Sequence, residues 1–545
     1  MIAPEGRAPG RLAMVGLDGA TFRALDPLIE AGAMPALAKL RADGCEAILR
    51  STVPTYTPPA WVSMATGVNP GRHGVFGFLA SSPQERPRVA HSGSIRATTM
   101  WRFLGDLGHR VGVFHVPMTY PAVPVNGFMV AGGLAAGWTD PEMPNYGSDP
   151  TVTELVKRVA GERYPVDTVV DYENDWRTAE TVTRVQRIQE LRRRVLSALL
   201  ERDDPTVLFA VFEGPDRLFH VFYQYLVDGT DWYRAPHADE IRDRAFAYFA
   251  ELDRAIADVV EWAGDDGHVV VVSDHGAGPL EKTVNLNLLL QHWGYLRLPN
   301  VSRLTRIGAV AGAGQQLARR IVPRSWLHRA KQSVQRRIVW DETVAFASHI
   351  PEQGVHVNER GSMPFGCVQR DDVERVASEI AERLSELRDP EDGLPVVDRV
   401  IRRDEVIAGP YADRAPNLFP MLRDQRYELS DTLAASAVFT DNRDRPWGYH
   451  HVDGVFIASG PRVRPQRLEA GLDIVDVLPT SLALADLPIP DQLDGILVHD
   501  VLGGEAAGVR VAAGPIPSSA GDEYPFTPED EEAIAESLRG LGYLE

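Results

Sequence analysis

The stretch HVVVVSDHG, residues 268–276, decides the fold class and directs the search for a functional site. Its four consecutive valines form an apolar run that is typical of a strand buried on both faces. Asp274 and His275 follow almost directly. Because burying two ionisable groups without partners is costly, their position at the end of such a strand indicates that they hold something, and a metal ion is the leading candidate.

Three further stretches share this design, in which an apolar run ends in a glycine or polar residue and a helical pattern follows. They are RLAMVGLDG (11–19), RVGVFHVPM (110–118) and TVLFAVFEG (206–214). Amphipathic helical patterns such as residues 240–264 alternate with these runs. The alternation predicts an α/β fold with a doubly wound, mostly parallel sheet and helices on both faces. In such sheets, ligands bind at the carboxyl ends of the strands.

Composition excludes several classes of protein. The 545 residues are 44% hydrophobic and 24% charged, with a net charge of −20. This negative charge argues against a nucleic-acid partner, because the phosphate backbone would be repelled. With only Cys45 and Cys367, neither a disulfide framework nor a cysteine metal cluster is possible. We find no signal-peptide core and no apolar run near the ~20 residues that span a bilayer, so we expect a cytoplasmic enzyme.

The chain divides into four segments. Residues 1–296 and 341–504 are predicted to form the two parts of one core, separated by a basic helical insertion at 297–340. Residues 301–340 carry eight arginines, one lysine and no acidic residue. We expect a solvated helical cap there, with attraction of an anionic substrate or peripheral contact with an acidic membrane as alternatives. Residues 505–545 are predicted to form a linker and a C-terminal helix.

Carboxylates and imidazoles recur at the predicted strand ends. Two of them, Asp216 and His220, are spaced i,i+4 and therefore lie on one face of a helical turn. Such a set, without thiolates, suits Zn or Mn and could fill two adjacent sites. An isolated aspartate at a strand end is more often a turn or cap residue, but recurrence at one sheet edge favours a metal site. The set comprises Asp18, Asp216, His220, Asp274, His275, His450 and His451.

A Pro-rich loop within residues 51–78 supplies hydroxyl groups in front of a short helical pattern. A hydroxyl at such a position either caps the helix or lies beside N–H groups that favour a bound anion. Threonine is a poor nucleophile unless a metal or base lowers the pKa of its hydroxyl, which the predicted metals would do. Arg72 and His73, in the same loop, are expected to stabilise a tight turn. The candidate hydroxyls belong to Thr52, Thr55, Thr57 and Ser63.

Jointly, these motifs resemble the alkaline phosphatase superfamily, and within it the type I phosphodiesterase/nucleotide pyrophosphatase family and its prokaryotic branch. The resemblance covers most of the chain. It rests on GLDGAT (16–21), PTYTPPAWVSMATGVNPGRHGVFGF (54–78), VPMTYPAVPVNGFMVAGG (116–133), VFEGPDRLFH (211–220), VVSDHGAGPL (271–280), GYHHVDGVFIASG (448–460) and LRGLGYL (538–544).

The resemblance implies an alkaline-phosphatase-like core with a site for two divalent metal ions, Zn in the first place and Mn as the other option. Thr57 takes the nucleophile position of the family. His450 is preferred over His451, because the family's ligand follows directly after a G-x pair. One metal would be surrounded by Asp18, Thr57, Asp274 and His275, and the other by Asp216, His220 and His450.

The activity implied is that of a metal-dependent phosphohydrolase, foremost a phosphodiesterase or nucleotide pyrophosphatase, acting on a nucleotide or another small phosphodiester. Phosphomonoesterase, phosphonate-cleaving, mutase-like and phosphotransferase activities are alternatives within the superfamily. A degenerate protein that binds a phosphorylated ligand without turnover is the non-enzymatic alternative. Sulfatase activity is disfavoured, because neither cysteine lies in the motif that this branch requires.

One position departs from the family pattern. Pyrophosphatases of the family usually carry an asparagine three residues after the nucleophile, where it binds a phosphate oxygen, and this chain has Ala60 there. The charge of the transition state must then be met by the metals, by N–H groups of the following turn or by another donor. Tyr56 and Trp61, which flank Thr57, are expected either to stack on a substrate or to pack the loop.

Overall fold

The structure is a computed structural model, and it describes residues 10–79, 88–132, 146–161, 164–168, 170–172, 175–299, 338–348, 354–433, 435–504, 510–514, 526–527, 531 and 534. Two predictions fall on other parts of the chain. The basic part of the insertion and most of the C-terminal segment lie outside the described residues.

The strands and helices of the described residues have the following bounds. The strands are β1 Leu12–Leu17, β2 Cys45–Arg50, β3 Val111–Phe114, β4 Gly127–Val130, β5 Val207–Phe212, β6 His268–Val272, β7 Gly276–Pro279, β8 Lys282–Asn285, β9 Ala345–Ser348, β10 Gly354–Val357, β11 Val397–Arg402, β12 Leu418–Leu422, β13 Tyr427–Ser430, β14 Phe439–Asp441, β15 Gly448–His451, β16 Asp453–Ser459, β17 Gln466–Asp473, β18 Ile489–Pro490 and β19 Arg510–Val511. The helices are α1 Phe22–Glu30, α2 Pro35–Ala42, α3 Thr57–Thr66, α4 Pro70–His73, α5 Met100–Asp106, α6 Pro150–Ala160, α7 Glu180–Asp203, α8 Gly214–Leu226, α9 Ala238–Ala263, α10 Leu286–Trp293, α11 Val373–Ser385, α12 Arg403–Val406 and α13 Val477–Leu484.

The main sheet has eight strands in the order β17-β2-β16-β6-β1-β5-β3-β4. Its pairs are parallel, except that β16 runs antiparallel to both of its neighbours, β2 and β6. The four runs in the sequence that predicted strands are β1, β3, β5 and β6, which lie next to or near one another in this sheet. The predicted α/β class with a mostly parallel sheet is confirmed.

Helices cover both faces of the sheet. Every residue of β1 is buried, and alternate residues enter different apolar clusters. Val15 and Leu17 pack with residues of α1, α2, α7, α8 and α9. Leu12 and Met14 pack on the other face with residues of α3, α5 and α13. A strand that is apolar on both faces therefore reads as a continuous hydrophobic run, which explains the sequence pattern.

A second apolar core lies outside this sheet. The strands β11, β12, β10 and β9 form, in that order, an antiparallel sheet, and β8 pairs with β13 and β14. Residues of α10 and α11 pack with these strands in one cluster. The sequence predicts that residues 341–504 continue the main core, and no pattern in it predicts this sheet. The division of the chain into four segments stays a proposal, to which the structure adds this second core.

A two-stranded pairing of β7 with β15 places the late histidines near the end of β6. In this pair, His450 lies opposite Ala277 and His451 opposite Gly276, directly after the Asp274–His275 pair in sequence. The helices in the described part of the chain include none that is both long enough and apolar enough to cross a bilayer.

Candidate metal centre

The parallel register of the main sheet brings the predicted ligands to one edge. Leu17 of β1 lies opposite Phe212 of β5, and Gly16 lies opposite Val272 of β6. The chain therefore leaves the three strands at the same level. Asp18 follows β1 directly, Asp216 lies in the first turn of α8 after β5, and Asp274 follows β6 after one residue. The three aspartates are at most 3% exposed.

The first ligand group consists of Asp18, Asp274 and His275. The Nε2 atom of His275 lies 3.6 Å from Oδ1 of Asp18 and 3.4 Å from Oδ2 of Asp274. The hydroxyl of Thr57, the first residue of α3, lies 3.4 Å from the same Nε2 atom. This places the predicted nucleophile beside the first group.

The second ligand group consists of Asp216, His220 and His450. The i,i+4 spacing in α8 brings His220 Nε2 within 3.2 Å of Asp216 Oδ1. His450 Nε2 lies 3.1 Å from His220 Nε2 and 3.7 Å from the same carboxylate oxygen. The two groups adjoin, since His275 Nε2 is 4.0 Å from Asp216 Oδ1 and the rings of His275 and His450 are 3.9 Å apart.

Hydrogen bonds within the protein fix the atom of each candidate ligand that points away from the centre, called here the outer atom. The other, inner atom faces the centre. The Nδ1 atoms of His275 and His450 donate to backbone carbonyls, at 2.9 Å to Gly276 and 3.2 Å to Thr55. This tautomer turns the Nε2 lone pair of each ring towards the centre. The N–H of Gly19 donates to Oδ1 of Asp274 at 3.2 Å. Gly19 has a φ of +69°, a conformation that glycine adopts at little cost.

Trp61 holds the outer oxygen of Asp18. Its indole N–H donates to Asp18 Oδ2 at 3.3 Å. The indole reaches this place because β1 has a glycine at position 16, where a Cβ atom would lie 2.3 Å from the ring. The side chain of Trp61 is fully buried, and it lies beside Phe209 with ring centroids 6.0 Å apart. It therefore presents no face on which a substrate could stack, which departs from one of the two expectations for this residue.

Tyr56 is also buried, with an exposed fraction of 1%. Its ring packs edge-on against Phe78 at 5.3 Å and lies 5.6 Å from the ring of His450. Of the two expectations for Tyr56, stacking on a substrate or packing within the loop, these contacts support packing.

The electrostatics of the first group are compatible with a bound cation. Asp18 Oδ1 and Asp274 Oδ2 are buried and have no hydrogen-bond partner among the described residues. Burial and the charge of Asp216 raise the pKa of Asp274 to about 8. Burial, together with Asp274 and Asp216, raises the pKa of Asp18 well above its ordinary value. Carboxylates that face one another without donors fit a divalent cation, which would satisfy both oxygens.

The second group fits a cation for a related reason. Burial and the neighbouring rings of His275 and His220 hold the pKa of His450 well below its ordinary value. Burial alone would raise the pKa of Asp216, but the neighbouring His220, Arg217 and His450 outweigh burial and hold the pKa well below its ordinary value. A neutral imidazole beside an ionised carboxylate is the state in which both groups ligate metals. The donor set of nitrogen and oxygen atoms suits Zn and Mn alike.

Of the four candidate hydroxyls in the loop, Thr57 is the one directed at the ligands. Thr52 donates to the carbonyl of Pro54 at 2.8 Å, and Thr55 donates to the carbonyl of Thr52 at 3.2 Å. Ser63 pairs with His73 at 2.9 Å between Oγ and Nε2. The structure thus distinguishes the Thr57 hydroxyl from three hydroxyls that the sequence spacing alone does not distinguish from it.

The predicted turn residues have structural contacts. His73 accepts the N–H of Val75 through Nδ1, so its Nε2–H donates to Ser63. Arg72 forms an ion pair with Asp494 at 2.7 Å. These contacts agree with the expectation that the two residues stabilise a tight turn.

The second to fourth residues of α3 have no N–H group free for an anion. The second and third residues of the helix, Pro58 and Pro59, have no backbone N–H. The N–H of Ala60 bonds to the carbonyl of Tyr56 at 3.1 Å. Residues 58 to 60 therefore offer no free N–H group to the transition-state charge, and the metals, the N–H groups of the turn after Ala60 and another donor stay the alternatives.

We expect Trp61→Phe to weaken metal binding in the first group by about 10-fold, because partners of metal ligands typically contribute 10- to 100-fold to affinity or activity. Phenylalanine keeps most of the packing and removes the donor to Asp18. The measurement is a Zn²⁺ titration of the metal-free protein. Trp101→Phe is the control, because Trp101 is buried on the same face of the sheet and shares no contact with a ligand. Equal affinities in the two variants would contradict the role of the indole.

Sequence reasoning missed three residues that surround these ligands, namely Asp167, Tyr172 and Arg217. Tyr172 stacks on His220 with ring centroids 4.7 Å apart, and Arg217 donates to Asp216 at 3.2 Å. The signal that could have found Arg217 is its position, since it is charged and directly follows a predicted ligand in an otherwise apolar helical stretch.

Comparisons with known proteins agree with this picture. The family model of type I phosphodiesterase/nucleotide pyrophosphatase matches residues 12–436. A search of the curated proteins found no match. Phosphonoacetate hydrolase from Sinorhizobium meliloti 1021 in complex with phosphonoformate is similar in structure, with a TM-score of 0.54 and 19% identity over 88% of this chain and 98% of that one.

Two further structures are similar. The same hydrolase in complex with phosphonoacetate has a TM-score of 0.51 and 18% identity, with the same coverage of 88% and 98%. Murine ectonucleotide pyrophosphatase/phosphodiesterase 5 has a TM-score of 0.46 and 13% identity over 90% of this chain and 100% of that one, and no argument rests on it. At these identities, the likeness to the hydrolase shows the fold alone.

Proposed function

Because the chain belongs to the type I phosphodiesterase/nucleotide pyrophosphatase family, and thus to the hydrolases of phosphate esters, we propose that it cleaves a phosphodiester or pyrophosphate bond with Thr57 as nucleophile. The substrate would be small and phosphorylated, such as a nucleotide. One divalent cation would be held by Asp18, Asp274 and His275 and a second by Asp216, His220 and His450.

The observation that carries this proposal is the place of the Thr57 hydroxyl. It lies 3.4 Å from His275 Nε2, beside the first group, and that group adjoins the second through His275 and His450. Bound divalent cations would lower the pKa of the hydroxyl and offset the negative charge of the phosphoryl group. The hydroxyl lies on the first residue of a buried helix, which fixes its backbone position beside the first group.

The reaction then proceeds in two displacements at phosphorus. In the first, Thr57 Oγ1 gives up its proton to solvent and forms a bond to phosphorus, while the bond to the leaving oxygen breaks and that oxygen takes up a proton. In the second, a water oxygen attacks the phosphothreonine and releases Thr57 with its proton restored. Positioning and charge neutralisation carry most of the catalysis in phosphoryl transfer, so the mechanism needs no general base outside the seven residues.

A screen of substrate classes tests the proposal. The protein loaded with Zn²⁺ and, separately, with Mn²⁺ would be assayed on bis-p-nitrophenyl phosphate, p-nitrophenyl phosphate, a dinucleotide, a nucleotide sugar and a phosphonate. We expect the diester or anhydride substrates to be cleaved with higher kcat/KM than the monoester. A preference for the monoester or the phosphonate would replace the proposed activity with one of the alternatives within the superfamily.

One outcome of this screen would favour the non-enzymatic alternative. Binding of phosphorylated ligands without turnover by a protein loaded with metal would support a degenerate member of the family. The net charge of −20 disfavours nucleic acid as a partner. The cytoplasmic location and the membrane contact of the basic insertion stay predictions.

A further inference from the structure

Arg217 is a charged residue buried next to a metal ligand. It follows Asp216 in α8, and its exposed fraction is 7%. One guanidinium nitrogen, Nη1, donates to Asp216 Oδ2 at 3.2 Å and to the hydroxyl of Tyr172 at 3.4 Å. The other, Nη2, donates to Asp167 Oδ1 at 3.5 Å. A buried guanidinium that is divided among three acceptors has a fixed orientation.

The contact with Arg217 makes the two oxygens of Asp216 unequal. Oδ2 accepts the guanidinium, whereas Oδ1 faces the imidazoles, at 3.2 Å from His220 Nε2 and 3.7 Å from His450 Nε2. The same division holds for the two other aspartates, whose outer oxygens accept from the Trp61 indole and the Gly19 N–H. Asp216 is the member of this set whose outer donor carries a charge.

Arg217 also reaches a second ligand through Tyr172. The Tyr172 ring stacks on the His220 imidazole, with centroids 4.7 Å apart and an angle of 19° between the planes. Its hydroxyl accepts from Arg217. The guanidinium therefore connects Asp216, which ligates directly, to the ring that lies against His220. Asp167 accepts from Nη2, on the other side of the planar guanidinium. This contact holds the guanidinium in the plane in which it reaches both Asp216 and Tyr172.

We propose that Arg217 is a positioning residue for the second metal, which commits one oxygen of Asp216 to the protein and leaves the other to the cation. The inference rests on the proposed metal site. It assigns to Arg217 no contact with the substrate, because its side chain is 8% exposed and its two terminal nitrogens point to protein acceptors. Lysine, with a point charge and no fork, would satisfy Asp216 or Asp167 but not both in the same geometry.

The test is metal binding by Arg217→Met and Arg217→Lys. Each metal-free protein would be titrated with Zn²⁺ in competition with a chromophoric chelator, which separates two binding steps without any substrate. We expect Arg217→Met to keep one step at wild-type affinity and to weaken the other by about 10- to 100-fold. Arg217→Lys should lie between this variant and the wild type. With saturating Zn²⁺, kcat of both variants should recover while KM stays near the wild-type value.

Arg193→Met is the matched control. Arg193 lies on α7 and pairs with the buried Glu251 of α9 at 2.6 Å, so the variant also removes a guanidinium from a buried carboxylate but touches no ligand. It should bind Zn²⁺ as the wild type does. Unfolding of the metal-free proteins would be measured alongside, because the variants remove the guanidinium that contacts both Asp167 and Asp216.

Three results would overturn the proposal. The first is two Zn²⁺ steps of wild-type affinity in both Arg217 variants. The second is that Arg217→Lys weakens both Zn²⁺ steps equally and in proportion to its loss of stability without metal. A merely structural role of Arg217 predicts this result. The third is wild-type metal affinity with a raised KM, which would assign Arg217 to the substrate. A wild-type protein that binds two Zn²⁺ but cleaves no ester would refute the proposed function and leave this inference intact.

Discussion

Replacing Thr57 by alanine is expected to lower kcat by about 10⁴-fold or more, the range in which loss of a covalent nucleophile falls when binding and charge stabilisation remain. The Thr57 hydroxyl is beside the first ligand group, 3.4 Å from His275 Nε2. The other loop hydroxyls bond to neighbouring carbonyls or to His73 and cannot substitute for it without moving the backbone. The measurement is steady-state hydrolysis of the best substrate from the screen, with Zn²⁺ content determined on the same sample.

The matched control for this prediction is Thr55→Ala. Thr55 lies two residues before Thr57, and its hydroxyl donates to the carbonyl of Thr52. Its own backbone carbonyl, which accepts the Nδ1–H of His450, is retained in the variant. We expect activity within a few-fold of the wild type, and we expect Thr57→Ser to keep part of it because a hydroxyl remains. Wild-type turnover by Thr57→Ala would show that water attacks the substrate directly.

Much of this site could be predicted from the sequence because it follows from strand geometry. Parallel strands in register end at one edge, so residues that closely follow β1, β5 and β6 meet there. The i,i+4 spacing of Asp216 and His220 adds one helical turn to the same argument. The preference for His450 over His451 rests on the family resemblance, since no local pattern indicates that β15 pairs with β7.

The contacts that orient the ligands could not be predicted in this way. Trp61 reaches Asp18 because Gly16 leaves room in a neighbouring strand, and this depends on tertiary packing between β1 and α3. The guanidinium of Arg217 connects α8 to Asp167 and Tyr172. These two residues lie over 40 residues earlier in the chain. Spacing rules describe neighbours along one element and say nothing about such pairs.

The second sheet was missed for a different physical reason. The strands β9 and β10 have four residues each, and β11 buries only part of its side chains, as antiparallel strands with a solvent-facing side do. Short strands of this kind carry little hydrophobic periodicity, so the segment resembled a continuation of the main core. By contrast, the four consecutive valines of β6 indicate burial on both faces, and the strand is buried throughout.

Removing the metals is expected to abolish activity and to make the stability of the protein fall steeply as the pH rises. Each cation stabilises the folded state by about 3 kcal/mol when its free concentration is 100-fold above its Kd. In the metal-free protein, burial and Asp216 raise the pKa of Asp274 to about 8, against an ordinary value of 3.8. A raised pKa means that the folded state binds more protons than the unfolded state, so stability is lost between about pH 4 and pH 8. Urea unfolding with a chelator at pH 5 and pH 8 measures this loss.

Asp274→Asn separates this electrostatic cost from other effects of removing the metals. The amide is neutral, keeps the oxygen that accepts from Gly19, and can donate to the inward lone pair of His275 Nε2 where Oδ2 now lies 3.4 Å away. We therefore expect the metal-free variant to be more stable than the metal-free wild type by more than about 2 kcal/mol at pH 8, since each pKa unit corresponds to about 1.4 kcal/mol. At pH 5 the difference should be smaller, because only the interval between the ordinary pKa of 3.8 and pH 5 then contributes to it. The variant should also lose Zn²⁺ binding in the first group. The same carboxylate would then both bind the metal and destabilise the protein when the metal is absent. If metal-free Asp274→Asn were less stable than the metal-free wild type by the same amount at pH 5 and pH 8, packing and not charge would govern this position.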